Sequence, residues 1–283
     1  MIATFFLKAE TESRTYLYVI QSITSAGVFL FPALLFSLCT THSLFSYSKA
    51  DKIVSLKMLG IVTILSFFIL PVIAYLGFLN EQISLPKSMQ QIELWIKKME
   101  EANKILMHTL TANSSISVLF VNIVLMALLP SIFEELLFRG TLQPFFSKWF
   151  ANKQLAIIVT AMIFSTIHFQ FTGFIPRFLL GIYLGYLLVW GGSLWLPIMA
   201  HLMHNAVSLI LLYFAQQRGI DLETFEPNQV KGFYPVIFCC IFCLISGIYV
   251  LYLCTANKNG KLQNDCYKER CGTDITYHYQ KEK

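Results

Sequence analysis

The chain has 283 residues, of which 56% are hydrophobic and only 13% charged, where a soluble domain carries about a quarter charged residues. Its 25 Phe and 13 Tyr suit a lipid-facing surface better than a larger soluble core. Composition therefore excludes an ordinary soluble enzyme and predicts an all-α, polytopic transmembrane bundle. The net charge of +5 comes from residues of both signs scattered through connecting segments, which form no basic stripe and exclude a nucleic-acid partner.

The start, MIATFFLKAETESRTYLYV, lacks a basic n-region and a small-residue cleavage site. We expect no removable signal peptide and a first span that stays in the protein. Apolar windows of about 20 residues, the length that crosses a bilayer, fall at 16–40, 53–79, 116–138, 154–172, 174–190, 193–214 and 233–254. They predict about seven spans, the fourth and fifth joined by a tight turn at Gly173 and Pro176. Residues 80–115 are polar and amphipathic, with Leu94, Met99, Ile105 and Leu106 on a stripe beside Trp95. We read them as an extramembrane helix at the membrane surface serving as a solvated connector. Residues 216–254 hold a loop and the last span, and 255–283 a polar tail. A slight excess of Lys and Arg on the side of that tail favours an outside N-terminus and an inside C-terminus. Cys39, Cys239, Cys240, Cys243 and Cys254 lie in apolar segments and read as small core residues. Cys266 and Cys271, in the tail, are free thiols in a reducing compartment and can pair in an oxidising one.

Ionisable groups inside apolar spans are costly and mark sites. Three places carry them: Glu134, Glu135 and Arg139 in PSIFEELLFRG; His168 in AMIFSTIHF; and His201, His204 and Asn205 in LPIMAHLMHNAVSL. Glu135 and Arg139 stand i, i+4 with the acid first, the favourable order for an ion pair, and can satisfy each other. Glu134 is turned about 100° from Glu135 and points elsewhere. His201, His204, Asn205 and Ser208 share one face, as do Phe164 and His168. Lipid cannot satisfy such faces, so they turn inward and meet between the third, fourth and sixth spans.

No serine or cysteine near these positions lies in a nucleophile motif. Glu and His can instead activate a water by general-base catalysis. A second arrangement uses the same residues, with Glu134, His168 and His201 holding a divalent metal such as Zn²⁺ and leaving one position for water. In either case the remaining His and Asn can donate to a tetrahedral oxyanion. Both arrangements hydrolyse a peptide bond inside a membrane.

EELLFR (Glu134 to Arg139), FSTIH (Phe164 to His168) and HLMHN (His201 to Asn205) resemble the EExxxR, FxxxH and HxxxN motifs of the CPBP intramembrane proteases, which include the CAAX prenyl endopeptidases and the bacterial Abi proteins. The resemblance covers about 118–215, so the chain divides into a two-span N-terminal region (1–115), a CPBP-like catalytic core (116–215) and the segments after it. It implies that Glu134 with His168 activates water. His201 and Asn205 then stabilise the oxyanion, and Glu135, Arg139 and Phe164 organise the site. His204 lies between motif positions without a family role. Gly181 and Gly185 form a GxxxG that reads as close helix packing. The activity implied is an intramembrane endopeptidase in the cytoplasmic membrane, in contact with lipid and acting on a membrane-associated protein or peptide. Two other classes compete: a non-catalytic immunity or scaffold protein, and a proton-coupled transporter. Transport would call for repeated halves and paired broken helices, which the sequence does not show.

Overall fold

A computed structural model of the chain describes residues 13–40, 43–83, 86–112, 115–220, 232–249 and 251–252. The polar tail, Cys254, Cys266 and Cys271 lie outside the described residues. All described secondary structure is helical: α1 (Arg14–Thr40), α2 (Leu56–Glu81), α3 (Gln90–Thr111), α4 (Ile116–Trp149), α5 (Lys153–Thr166), α6 (Phe174–Gly191), α7 (Trp195–Gln217) and α8 (Phe233–Tyr249), with short helical turns between them. Each of the seven apolar windows holds a helix. Five of these helices are long and apolar enough to cross a membrane, and their number and composition make this a multi-pass integral membrane protein.

The two that fall short are α5 and α8. With 14 residues and a rise of about 1.5 Å each, α5 is about 21 Å long, below the roughly 30 Å hydrocarbon thickness. Its end is local: after Ile167 the chain turns, and Phe169 adopts a left-handed backbone with φ 52°. The missing length is found in α4, which continues to Trp149 over 34 residues. The amphipathic stretch at 140–153 is thus mostly helix, and only Phe150–Asn152 forms the turn into α5. His168 consequently sits just past the end of a short helix, within reach of α4.

Serines start three of the apolar helices. Ser13, Ser55 and Ser115 accept from the backbone N–H groups of Tyr16, Met58 and Val118, which satisfies donors the helix cannot. Asn152 does the same for α5 through Gln154 and Leu155. At the end of α6, Gly192 takes φ 69° and its N–H bonds to the Leu188 carbonyl, a left-handed cap that glycine adopts without strain.

The core lies where α2, α6 and α7 meet, around Val62, Leu65, Leu184 and Leu196, with Leu244 of α8 packed against it. Outside, Leu38, Ile116, Phe120 and Phe242 stand exposed, as lipid contact requires. Gly181 and Gly185 let α6 approach α5 as their spacing predicted. A Cβ on Gly185 would stand 2.9 Å from Ile157 Cγ2 and 3.0 Å from Gln143 Oε1. Gly185→Ala is expected to cost about 1–3 kcal/mol through overpacking, read as a lower unfolding temperature in detergent.

α3 is not a free-standing solvated connector. Leu106 and Leu110 bury against Leu17 of α1. Arg14 donates from Nε to the Thr109 carbonyl at 3.1 Å and from Nη2 to the Ala112 carbonyl at 2.9 Å. Asn122 of α4 donates to the Leu110 carbonyl at 3.1 Å, and Gln216 of α7 donates to Thr111 Oγ1 at 3.2 Å. The fastening runs mostly through backbone carbonyls of residues 109–112, held by Arg14, Asn122 and Gln216 from outside the segment.

Candidate active site

Glu134, Glu135 and Arg139 of α4 are buried and make different contacts. Glu135 and Arg139 are both fully shielded from solvent, with Arg139 Nη1 donating to Glu135 Oε1 at 2.8 Å. Arg139 Nη2 donates to the Gly181 carbonyl of α6 at 3.1 Å, and its Cζ stands 4.6 Å from the centre of the Phe164 ring. Arg139 falls in a π-helical stretch, Phe138–Leu142. That geometry leaves a wider turn and recurs at functional sites.

The ion pair is not self-contained. Glu135 Oε1 also accepts from His201 Nδ1 at 2.9 Å. That hydrogen bond puts the proton on Nδ1, so the neutral ring keeps a lone pair on Nε2. The Nε2 atom stands 3.9 Å from Glu134 Oε2. Thus one histidine lies between both glutamates, using a different nitrogen for each.

His168 is arranged in the same way. Its Nδ1 lies 2.8 Å from the Phe164 carbonyl. A carbonyl only accepts, so Nδ1 carries the hydrogen and Nε2 is again bare. This Nε2 is 4.0 Å from the same Glu134 oxygen. Phe164 packs edge-on against both imidazoles, with ring centres 5.1 Å from His168 and 5.9 Å from His201. It thereby fixes the two rings and the guanidinium together. The His168 side chain is 26% exposed and Glu134 9%, so the group is open to water from the His168 side. Next to that side lies a cleft of about 260 Å³ lined by Glu100, His108, Gln170, Thr172 and Gln216 among others. It contains none of the clustered residues but adjoins the chain just after His168.

The structure therefore brings Glu134, Glu135, Arg139, Phe164, His168 and His201 together. Asn205 lies one turn beyond His201, half-buried, and no hydrogen bond joins it to that group among the described residues. His204 is half-buried with its Nδ1 unpartnered among the described residues. Gln143 is a supporting residue the motifs do not show. One turn beyond Arg139, it donates to the Gly185 carbonyl at 3.1 Å, repeating the Arg139–Gly181 contact one turn along. Its i+4 position relative to Arg139 was the available signal.

One carboxylate and two imidazoles with free lone pairs are a donor set that Zn²⁺ accepts. Ligands at about 2.0–2.2 Å around a tetrahedral ion stand about 3.3 Å apart, shorter than the 3.9 and 4.0 Å separations here. Among the described residues no three His, Cys, Asp or Glu side chains are grouped to hold a metal ion. As arranged, the three donors do not close around one, and the chemistry below rests on the side chains alone.

Residues 116–207 match the family described as type II CAAX prenyl endopeptidase Rce1-like. This segment is an Rce1-like domain. It contains every residue of the three motifs, from Glu134 to Asn205. The chain is also 31% identical over 116 residues to the uncharacterized protein YpbD of Bacillus subtilis (strain 168). That match covers 39% of this chain and 57% of YpbD, so the chain spans little more than half of that relative. No solved structure matches the chain. The Rce1-like domain thus holds the buried cluster, while α1, α2 and α3 lie outside the matched segment.

Proposed function

We propose that the protein is an intramembrane endopeptidase that hydrolyses peptide bonds of a membrane-associated protein or peptide. The observation that carries this reading is the convergence on Glu134 Oε2 of two imidazole Nε2 atoms, at 4.0 and 3.9 Å. Those gaps are too long for direct hydrogen bonds. A water about 2.8 Å from each atom of such a pair bridges it at close to a right angle, within ordinary hydrogen-bond geometry. Glu134 with His168 takes a proton from that water, and the resulting hydroxide attacks the scissile carbonyl carbon. His168 is the more exposed of the pair and faces incoming water. His201 stands opposite with its Nδ1 proton held by Glu135, and with Asn205 it stabilises the oxyanion. To donate there, His201 takes a second proton, on Nε2, from solvent before the substrate enters and keeps it through the cycle, so it is neither consumed nor supplied by the hydrolysis. Collapse of the intermediate breaks the C–N bond, and the proton held at Glu134 passes to the leaving amine. The family of the matched domain supports a protease, and the absence of a serine or thiol motif supports water as the nucleophile. We place the protein in the cytoplasmic membrane with its N-terminus outside and its C-terminus inside.

A reagent profile tests the chemistry. Cleavage by the purified protein is expected to survive fluorophosphonates and iodoacetamide at full rate. Inhibition by either reagent would contradict an activated water. Loss of cleavage with a chelator, restored by Zn²⁺, would show that the three donors close around a metal when one is supplied.

A further inference from the structure

His168 is not held by a regular helix. It stands two residues beyond the end of α5, and the chain after it is steered by elements outside the Rce1-like domain. Glu100 of α3 accepts twice through one oxygen, from the Thr172 backbone N–H at 2.8 Å and from Thr172 Oγ1 at 2.9 Å. Trp95, further back on α3, meets the Phe169 ring edge-on at 6.1 Å. Asn80 at the end of α2, itself buried, donates to the Phe171 carbonyl at 2.7 Å and accepts from the Ile175 N–H at 3.1 Å. Between these anchors Phe169 sits at φ 52°. A bulky side chain rarely adopts that conformation, and it persists only when its surroundings impose it. His168 precedes this strained residue directly.

We propose that Glu100 is a positioning residue for His168. By clamping Thr172 it fixes the 168–173 segment, and with it the distance between His168 Nε2 and Glu134. This rests on the hydrolytic reading of the site and extends its machinery into α3. Glu100 and Thr172 also form part of the wall of the open cleft beside the site, so the clamp joins the water-facing entrance to the catalytic group. What the clamp needs is an acceptor oxygen of the right reach. Glu100→Gln therefore keeps it, and Glu100→Leu removes it.

The test uses the full chain in detergent and two readouts. In the first, Glu100→Leu is expected to lower kcat about 10- to 100-fold, as a small displacement of a catalytic group does. KM should stay within about twofold, and Glu100→Gln should retain at least half the wild-type rate. The second readout is independent of activity. In histidine-labelled protein, the His168 ring signal, assigned by its loss in His168→Ala, should move in Glu100→Leu and hold in Glu100→Gln. An unmoved His168 signal in Glu100→Leu would overturn the proposal, as would equal loss in both variants or a kcat loss matched by global unfolding. If no cleavage dependent on Glu134 is found at all, the hydrolytic reading fails, while the ring signal still decides the clamp.

Discussion

Glu134→Gln is expected to abolish cleavage, lowering kcat by about 10³-fold or more, while the protein unfolds at an equal or higher temperature. The amide matches the carboxylate in size but cannot take a proton from water, and general-base catalysis of this kind contributes about 10²- to 10⁴-fold. The stability half of the expectation follows from the surroundings. Glu134 is buried, and its contacts with the two histidines, 3.9 and 4.0 Å, are too long for hydrogen bonds. A carboxylate kept inside a bundle with no direct side-chain hydrogen bond among the described residues is a cost to the fold. Kinetics and thermal unfolding on the same preparation read both effects. A variant that loses activity and stability together would place Glu134 in the scaffold instead.

The neighbouring pair should behave in the opposite way. Removing either Glu135 or Arg139 leaves a charge in a fully buried position, at a cost of about 3–5 kcal/mol. Arg139→Leu strands Glu135 Oε1 with His201 alone. Glu135→Leu strands the guanidinium and also frees His201 Nδ1, so that the ring loses the contact that turns Nε2 toward Glu134. Replacing both by Leu is expected to cost much less than the sum of the single changes, because no charge is left behind. Unfolding of the two single variants and the double variant in one detergent gives this comparison. Additive losses would mean that the pair is not energetically coupled.

These contrasting roles for adjacent glutamates were legible in part from helical geometry. The i, i+4 spacing paired Glu135 with Arg139 and pointed Glu134 away, and the structure has both features. What spacing did not show was that His201 would reach back to Glu135 across 66 positions. Periodicity within one helix carries no information about which face of another helix it meets. The GxxxG of α6 was readable as close packing, since only small residues permit it. Its two carbonyls as acceptors for Arg139 and Gln143 were not, because backbone acceptors have no sequence signature. The length of α4 was not legible, because the amphipathic stretch 140–153 fits either a loop or a segment dipping into the membrane, and it continues the helix through a π-helical stretch. How α3 is fastened was hidden for a related reason. Glu100, with its glutamate neighbours and four lysines on one amphipathic segment, reads as a solvated face, and only the tertiary structure separates the glutamate that clamps Thr172 from those that meet water.

The measurement that bears most directly on the central claim is a search for new peptide termini. Wild-type protein and Glu134→Gln are reconstituted separately into vesicles carrying a membrane proteome or a terminally tagged peptide library, and the products are sequenced by mass spectrometry. The protease reading predicts new termini at membrane-proximal bonds with the wild type and none with Glu134→Gln. The same set of termini from both proteins, or none from either while the protein's biological effect persists, would contradict it.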